Sequence, residues 1–130
     1  MASPILELQV AIIAALRGAT GIEAPVYDRV PTNAAVPYIS LGPADATSDD
    51  ADCIKAHTIS FQIDVWSREP GFREASEIAD AIENELHEAE FSLPVNALVD
   101  LRHRQTRRFR DADGITSHVA MTFVAIIERA

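Results

Sequence analysis

Apolar residues recur at Ile5, Leu8, Ile12 and Leu16, with Ile13 beside them. That spacing places them on one face of a helix. Ser3 supplies a cap, and Pro4 takes the first helical position, where a missing N–H costs nothing. Gly18 and Gly21 end the run, so a helix is predicted over 4–18. Pro25, Pro31 and Pro37 make residues 20–37 mostly irregular, with a short strand expected near Val26-Tyr27. Tyr38 to Gly42 reads as a strand with Ile39 and Leu41 on one face. Residues 43–55 are small and acidic, and are expected to form an exposed loop.

The plainest alternation in the chain runs from His57 to Trp66. Ile59, Phe61, Ile63 and Val65 interleave with Thr58, Ser60, Gln62, Asp64 and Trp66. Period two over that length predicts a strand with one face in a core and one face polar. After Pro70-Gly71, the stripe Ala75, Ile78, Ala79, Ile82 and Leu86 predicts a second amphipathic helix over about 72–89. Leu98 to Arg110 and Ile115 to Glu128 read as two strands joined by the turn Asp111-Ala-Asp113-Gly114. Strands that follow one another without a helix pair as antiparallel hairpins. The expected fold is α+β: an antiparallel sheet of about four main strands, with two helices packed on one face in a two-layer sandwich.

The length of 130 residues fits a single domain, 1–130, with a flexible acidic loop about 43–56. No apolar run is long enough to cross a membrane as a helix. Met1-Ala-Ser-Pro lacks the basic start and cleavage site of a signal peptide. The lone Cys53 excludes an internal disulfide and fits a reducing compartment. These features predict a soluble protein made inside the cell.

The net charge is −9, and its distribution says more than its sum. One lysine stands against ten arginines, and Arg102, Arg104, Arg107, Arg108 and Arg110 crowd one strand without an acid among them. The carboxylates gather on the second helix and in a patch at Asp45, Asp49, Asp50 and Asp52. Separate basic and acidic faces suit docking to a charged partner, including a second copy of the chain. By parity, Arg102, Arg104, Arg108 and Arg110 share a face with Asp100 and Thr106, whereas Arg107 falls with Val99, Leu101, His103 and Phe109. Either a bulge resets the register near 105–107, or the inner face opens to solvent there. Val124, Ile126 and Trp66 place apolar groups on strand faces that would otherwise be polar, which points to coverage by a partner or by the chain's own loops. The candidate interface is therefore Arg102, Arg104, Arg107, Arg108, Arg110, Trp66, Val124, Ile126, Asp49, Asp50 and Asp52.

Catalytic chemistry has little to stand on. His57, His87, His103 and His118 include no pair at helical metal spacing. Cys53 lies among acids, which disfavour a thiolate nucleophile. No Gly-rich phosphate loop and no nucleophile elbow is present. No catalytic, cofactor-binding or metal residue is assigned. A strand of arginines suits carboxylate or phosphate partners. An acidic chain with one nearby phenylalanine fits protein carboxylates better than a nucleic acid.

Several segments, in order, resemble a known family. They are the helical opening Ile5–Leu16, Val26-Tyr27-Asp28-Arg29-Val30-Pro31, Val36-Pro37-Tyr38-Ile39-Ser40-Leu41-Gly42, and His57-Thr58-Ile59 leading to Asp64-Val65-Trp66-Ser67-Arg68. Ile78-Ala79-Asp80-Ala81-Ile82, Leu101-Arg102, Arg110-Asp111-Ala112-Asp113-Gly114 and His118 follow. Together they resemble the tail-completion or tail-terminator proteins of long-tailed phages and gene transfer agents over nearly the whole chain. His103 departs from the pattern, standing where a bulky apolar residue is expected. The resemblance implies a structural virion protein and no enzyme. It implies a homo-oligomeric, hexameric ring that caps the tail tube, ends its polymerisation and meets a head-completion or stopper protein. Its place would be the top of the tail of a virion or gene transfer agent, assembled in the host cytoplasm, with DNA passing through without specific binding and no membrane contact. The alternatives are a head-closure protein of the same connector, a small anion-binding domain using the Arg102–Arg110 strand, and a DNA-binding module.

Overall fold

The computed structural model describes residues 3–48, 50 and 54–130. Helix α1 spans Pro4–Gly18, and the Ser3 hydroxyl accepts the Leu6 N–H at 3.3 Å to cap it. Strand β1 is Val26–Tyr27, β2 is Tyr38–Ser48 and β3 is Ala56–Ser67. Helix α2 is Arg73–Leu86, and β4 (Ala97–Arg110) and β5 (Ser117–Glu128) form the last hairpin. The sheet order is β1-β2-β3-β5-β4. The β1–β2 pair is parallel and the other pairs are antiparallel.

The expected α+β sandwich is what folds, with five strands rather than about four because Val26-Tyr27 joins the edge. Leu8, Ile12 and Leu16 of α1 and Ala75, Ala79, Ile82 and Leu86 of α2 are all buried. They meet the odd-numbered residues of β3 and β5, where Phe61 and Phe123 stack at 5.5 Å. The even-numbered residues of those strands point to the other face of the sheet, on which no helix lies.

The largest departure from expectation is at residues 43–48. They extend β2 rather than opening a loop, pairing from Ala44↔Phe61 to Ser48↔His57. A register shift between Leu41 and Ala44 admits Pro43, which lacks the N–H that a regular ladder position requires. The small side chains of Ala44, Ala46 and Thr47 carry no strong strand pattern, so pairing with the well-patterned β3 decides their conformation. The connection to β3 begins after Ser48, and the Asp50 carboxylate accepts the Ala56 N–H at 3.2 Å across it. Asp49, Asp52 and Cys53 lie outside the described residues.

One carboxylate ties the two ends of the fold together. Glu7, on the first turn of α1, accepts the N–H groups of Val95 (2.8 Å) and Asn96 (3.0 Å) and the Asn96 side-chain amide (2.6 Å). Burial opposes its ionisation, but these three donors outweigh burial and lower its pKa below the ordinary 4.5.

Candidate protein interface

The arginine strand does not present one basic face. β4 carries an extra residue between His103 and Gln105, and that residue is Arg104. A second irregularity sits between Leu98 and Asp100. The bulge reverses the parity beyond it, so Arg102 and Arg107 face away from the helices while Arg108 and Arg110 face the helix side. The grouping of Arg102 with Arg108 and Arg110 is thereby corrected. The inner face also opens to solvent here: Thr106, Arg108 and Arg110 are exposed.

Each arginine has its own surroundings. Arg102 donates to Asp100 at 2.8 Å and lies 3.8 Å from Glu88. The hydrogen bond to Asp100 and the charges of Asp100 and Glu88 raise its pKa further, so it is a firmly charged but internally matched group. Arg108 and Arg110 lie over the Phe72 ring at 4.9 and 5.0 Å, an arrangement that favours cations over the negative ring face. Arg107 sits 5.8 Å from the Phe109 ring, and Arg104 has no ion pair among the described residues. Arg104, Arg107, Arg108 and Arg110 thus have no carboxylate partner among the described residues, and Arg104 has no ring contact either.

His103 faces the helix layer at the margin of the core. Its ring meets Phe123 edge-on at 5.4 Å, and its nitrogens lie 2.6 Å from Thr106 Oγ1 and 3.6 Å from Glu83. A half-buried imidazole with polar partners on both sides thus fills the place of an apolar side chain.

The helix-free face carries a row of rings across all five strands. Tyr27, Tyr38, Trp66, His118 and Phe109 follow one another, with Trp66 stacked on His118 at 3.8 Å and Phe109 edge-on to His118 at 4.4 Å. The Trp66 indole N–H donates to Ser40 Oγ at 3.0 Å. Trp66 is half-buried among its own neighbours rather than standing free. Below the rings, Val124 and Ile126 are half-buried opposite Ser60 and Thr58 on one side and Arg102 and Asp100 on the other. Asp45 lies on the same sheet at its β2 edge, and the α2 carboxylates Glu77, Asp80 and Glu85 are exposed on the helix layer. The arginine strand reaches the start of the acidic helix, where Arg108 lies 3.5 Å from Ser76 Oγ.

Among the described residues no group of three or more His, Cys, Asp or Glu side chains is placed to hold a metal ion. A small, partly open space of about 70 Å³ lies between α1 and the β2–β3 hairpin, lined in part by Ile5, Leu8, Leu41 and Phe61. No helix of the described residues is long and apolar enough to cross a membrane.

The family model of tail completion protein gp17 matches residues 10–128. The chain belongs to the tail completion protein gp17 family. Among solved structures, it is similar to a chain from the virion of a native gene transfer agent (GTA) particle. That match has a TM-score of 0.90 and 26% sequence identity, covering 98% of this chain and 99% of the other. No curated protein matches the sequence. The family resemblance carried by Tyr27–Pro31, Pro37–Gly42 and Val65–Arg68 is therefore borne out.

Membership of the tail completion family makes this a structural tail protein, and surfaces are the place to look for its function. Sequence reasoning missed the exposed ridge of α1. Leu6 and Val10 stand 57% and 60% exposed there, beside Ala14. Their four-residue spacing was visible in the sequence, but the stronger stripe through Leu8, Ile12 and Leu16 masked it. The structure divides the described residues of the expected interface among the bulge, the Phe72 stack, the helix-free face and, at Asp50, the β2–β3 connection.

Proposed function

We propose that this chain closes the tail. Copies of it form a hexameric ring on the finished tail tube, stop further polymerisation, and offer a docking surface to the head-completion or stopper protein. The ring stands at the top of the tail of a phage or gene transfer agent, is assembled in the host cytoplasm, and lets DNA pass without holding it. The chain acts by shape and contact, with no catalytic step.

The observation that carries this reading is the match along nearly the whole chain to a virion chain of a gene transfer agent, within a family of tail completion proteins. The geometry supports it. A ring needs head-to-tail contacts in which two different surfaces of one protomer meet. The exposed Arg104 and Arg107 on one side, and Glu77, Asp80 and Glu85 on the other, are surfaces of opposite sign. A net charge of −9 on each copy keeps the DNA phosphates from adhering broadly to the assembly.

Mass measurement on the purified chain, alone and mixed with the tail-tube protein of the same particle, tests the reading. A ring-sized complex on the tube is expected. A chain that stays monomeric under both conditions and leaves the tube unbound contradicts it.

A further inference from the structure

The large exposed apolar side chains fall mainly into two groups at opposite ends of β4. One group is Leu6 and Val10 on α1 with Val95 and Val99 near the start of β4. The other is Phe109 and Ile115 at the far hairpin. Val99 and Phe109 are ten residues apart on one strand, a separation of roughly 30 Å at strand rise.

Leu6 and Val10 border an open groove of about 380 Å³ that is lined also by Glu7, Ala11, Ala14, Ser92 and Pro94. Between Pro4 and Leu16 the only charged residue is Glu7, and it is turned inward onto Val95 and Asn96. The solvent side of α1 therefore carries aliphatic groups where a surface helix ordinarily carries charge. Exposed Glu90 stands two residues before the Ser92–Pro94 wall, whereas Glu88 faces Arg102.

The second group has the complementary make-up. Ile115, 60% exposed, projects from the β4–β5 turn beside Asp111 and Asp113, and Arg108 and Arg110 lie on the helix side of the strand that leads into it. The turn is rigidly built. Asp113 accepts the N–H groups of Ile115 (2.9 Å) and Thr116 (2.8 Å) and the Thr116 hydroxyl (2.6 Å), and Gly114 supplies a φ of +75°. Ile115 is thus presented on a fixed tip with arginines behind it.

We propose that the β4–β5 tip of one copy docks in the α1 groove of the next. Ile115 packs on Leu6, Val10 and Pro94, and Arg108 and Arg110 meet Glu90, which stands two residues before the Ser92 wall. An acidic apolar acceptor and a basic apolar donor on one chain are what a head-to-tail contact requires, and such contacts close into a ring when the rotation permits. The proposal rests on the ring reading above and names the surfaces that make the ring.

The test uses two full-length variants, Val10→Asp and Ile115→Asp, each studied with the tail-tube protein present. Both positions are exposed, so both variants should melt with the wild type. Each alone should lose the ring-sized complex. An equimolar mixture should recover a one-to-one pair, because a sound tip and a sound groove remain in it. As a second readout, a Val10→Cys/Ile115→Cys chain with Cys53→Ser should give an oxidised ladder of multimers, and each single-cysteine version should not. Rings that form normally in both aspartate variants, without a ladder, overturn the docking proposal and leave the ring reading standing. Absence of any multimer in the wild type overturns both.

Discussion

His118 Nε2–H donates to Asp64 Oδ1 at 2.6 Å on the sheet face that carries no helix. The Gln62 amide donates to the same oxygen at 2.8 Å, and Trp66 covers the imidazole. Both partners are less than a tenth exposed although no second layer lies over them. The covering is done by aromatic neighbours on adjacent strands. Replacing His118 with Leu keeps bulk against Trp66 but removes a donor from a buried carboxylate. The expected loss is about 1–3 kcal/mol in urea unfolding, and unchanged stability would mean the pair contributes nothing to the fold.

Gly42 is constrained by the same carboxylate. A Cβ built there would stand 2.7 Å from Asp64 Oδ2 and 3.1 Å from Gln62 Cβ. Asp64 is held by His118 and cannot swing aside freely. Gly42→Ala is expected to cost about 1–3 kcal/mol by overpacking, read as a shift of the urea midpoint with an unaltered slope.

Acid should weaken the β4–β5 turn in a defined window. Hydrogen bonds from the Thr116 side chain, then from the Thr116 and Ile115 backbones, lower the Asp113 pKa from 3.8 to about 2. A carboxylate with a lowered folded-state pKa stabilises fully above its ordinary value and loses that contribution as pH falls through the folded one. The difference in melting temperature between wild type and Asp113→Ala should therefore be constant near neutral pH. It should shrink as pH falls from 3.8 to about 2. A difference that ignores pH would contradict the hydrogen-bonded carboxylate.

The arginines should separate by surroundings. Arg104→Glu and Arg107→Glu reverse charges that have no internal ion pair, so melting should be unchanged while assembly with tail components falls. Phe72→Leu removes the ring beneath Arg108 and Arg110 and should cost about 1 kcal/mol. Normal assembly of both reversed proteins would show that the basic strand is not part of the contact.

Much of the architecture was legible because the patterns were strong. The alternation from Ile59 to Val65 and the stripe Ala75 to Leu86 each face a core that exists where they predicted it. The strand at 44–48 was illegible because its small residues have no periodicity of their own, and the partner strand supplies the conformation. The arginine faces were legible only as alternatives. Parity counting cannot place a bulge, and a single inserted residue at Arg104 sends everything beyond it to the opposite face. The family could be read from short segments such as Val26–Pro31, which begins with the edge strand β1.

The central claim is that this chain ends tail growth and joins tail to head. Electron microscopy of particles made with and without it tests that most directly. With the chain, tails should have one length, carry a ring at the head-proximal end and be joined to heads. Without it, tubes of uncontrolled length and separate heads are expected. Normal, joined tails in its absence would contradict the account.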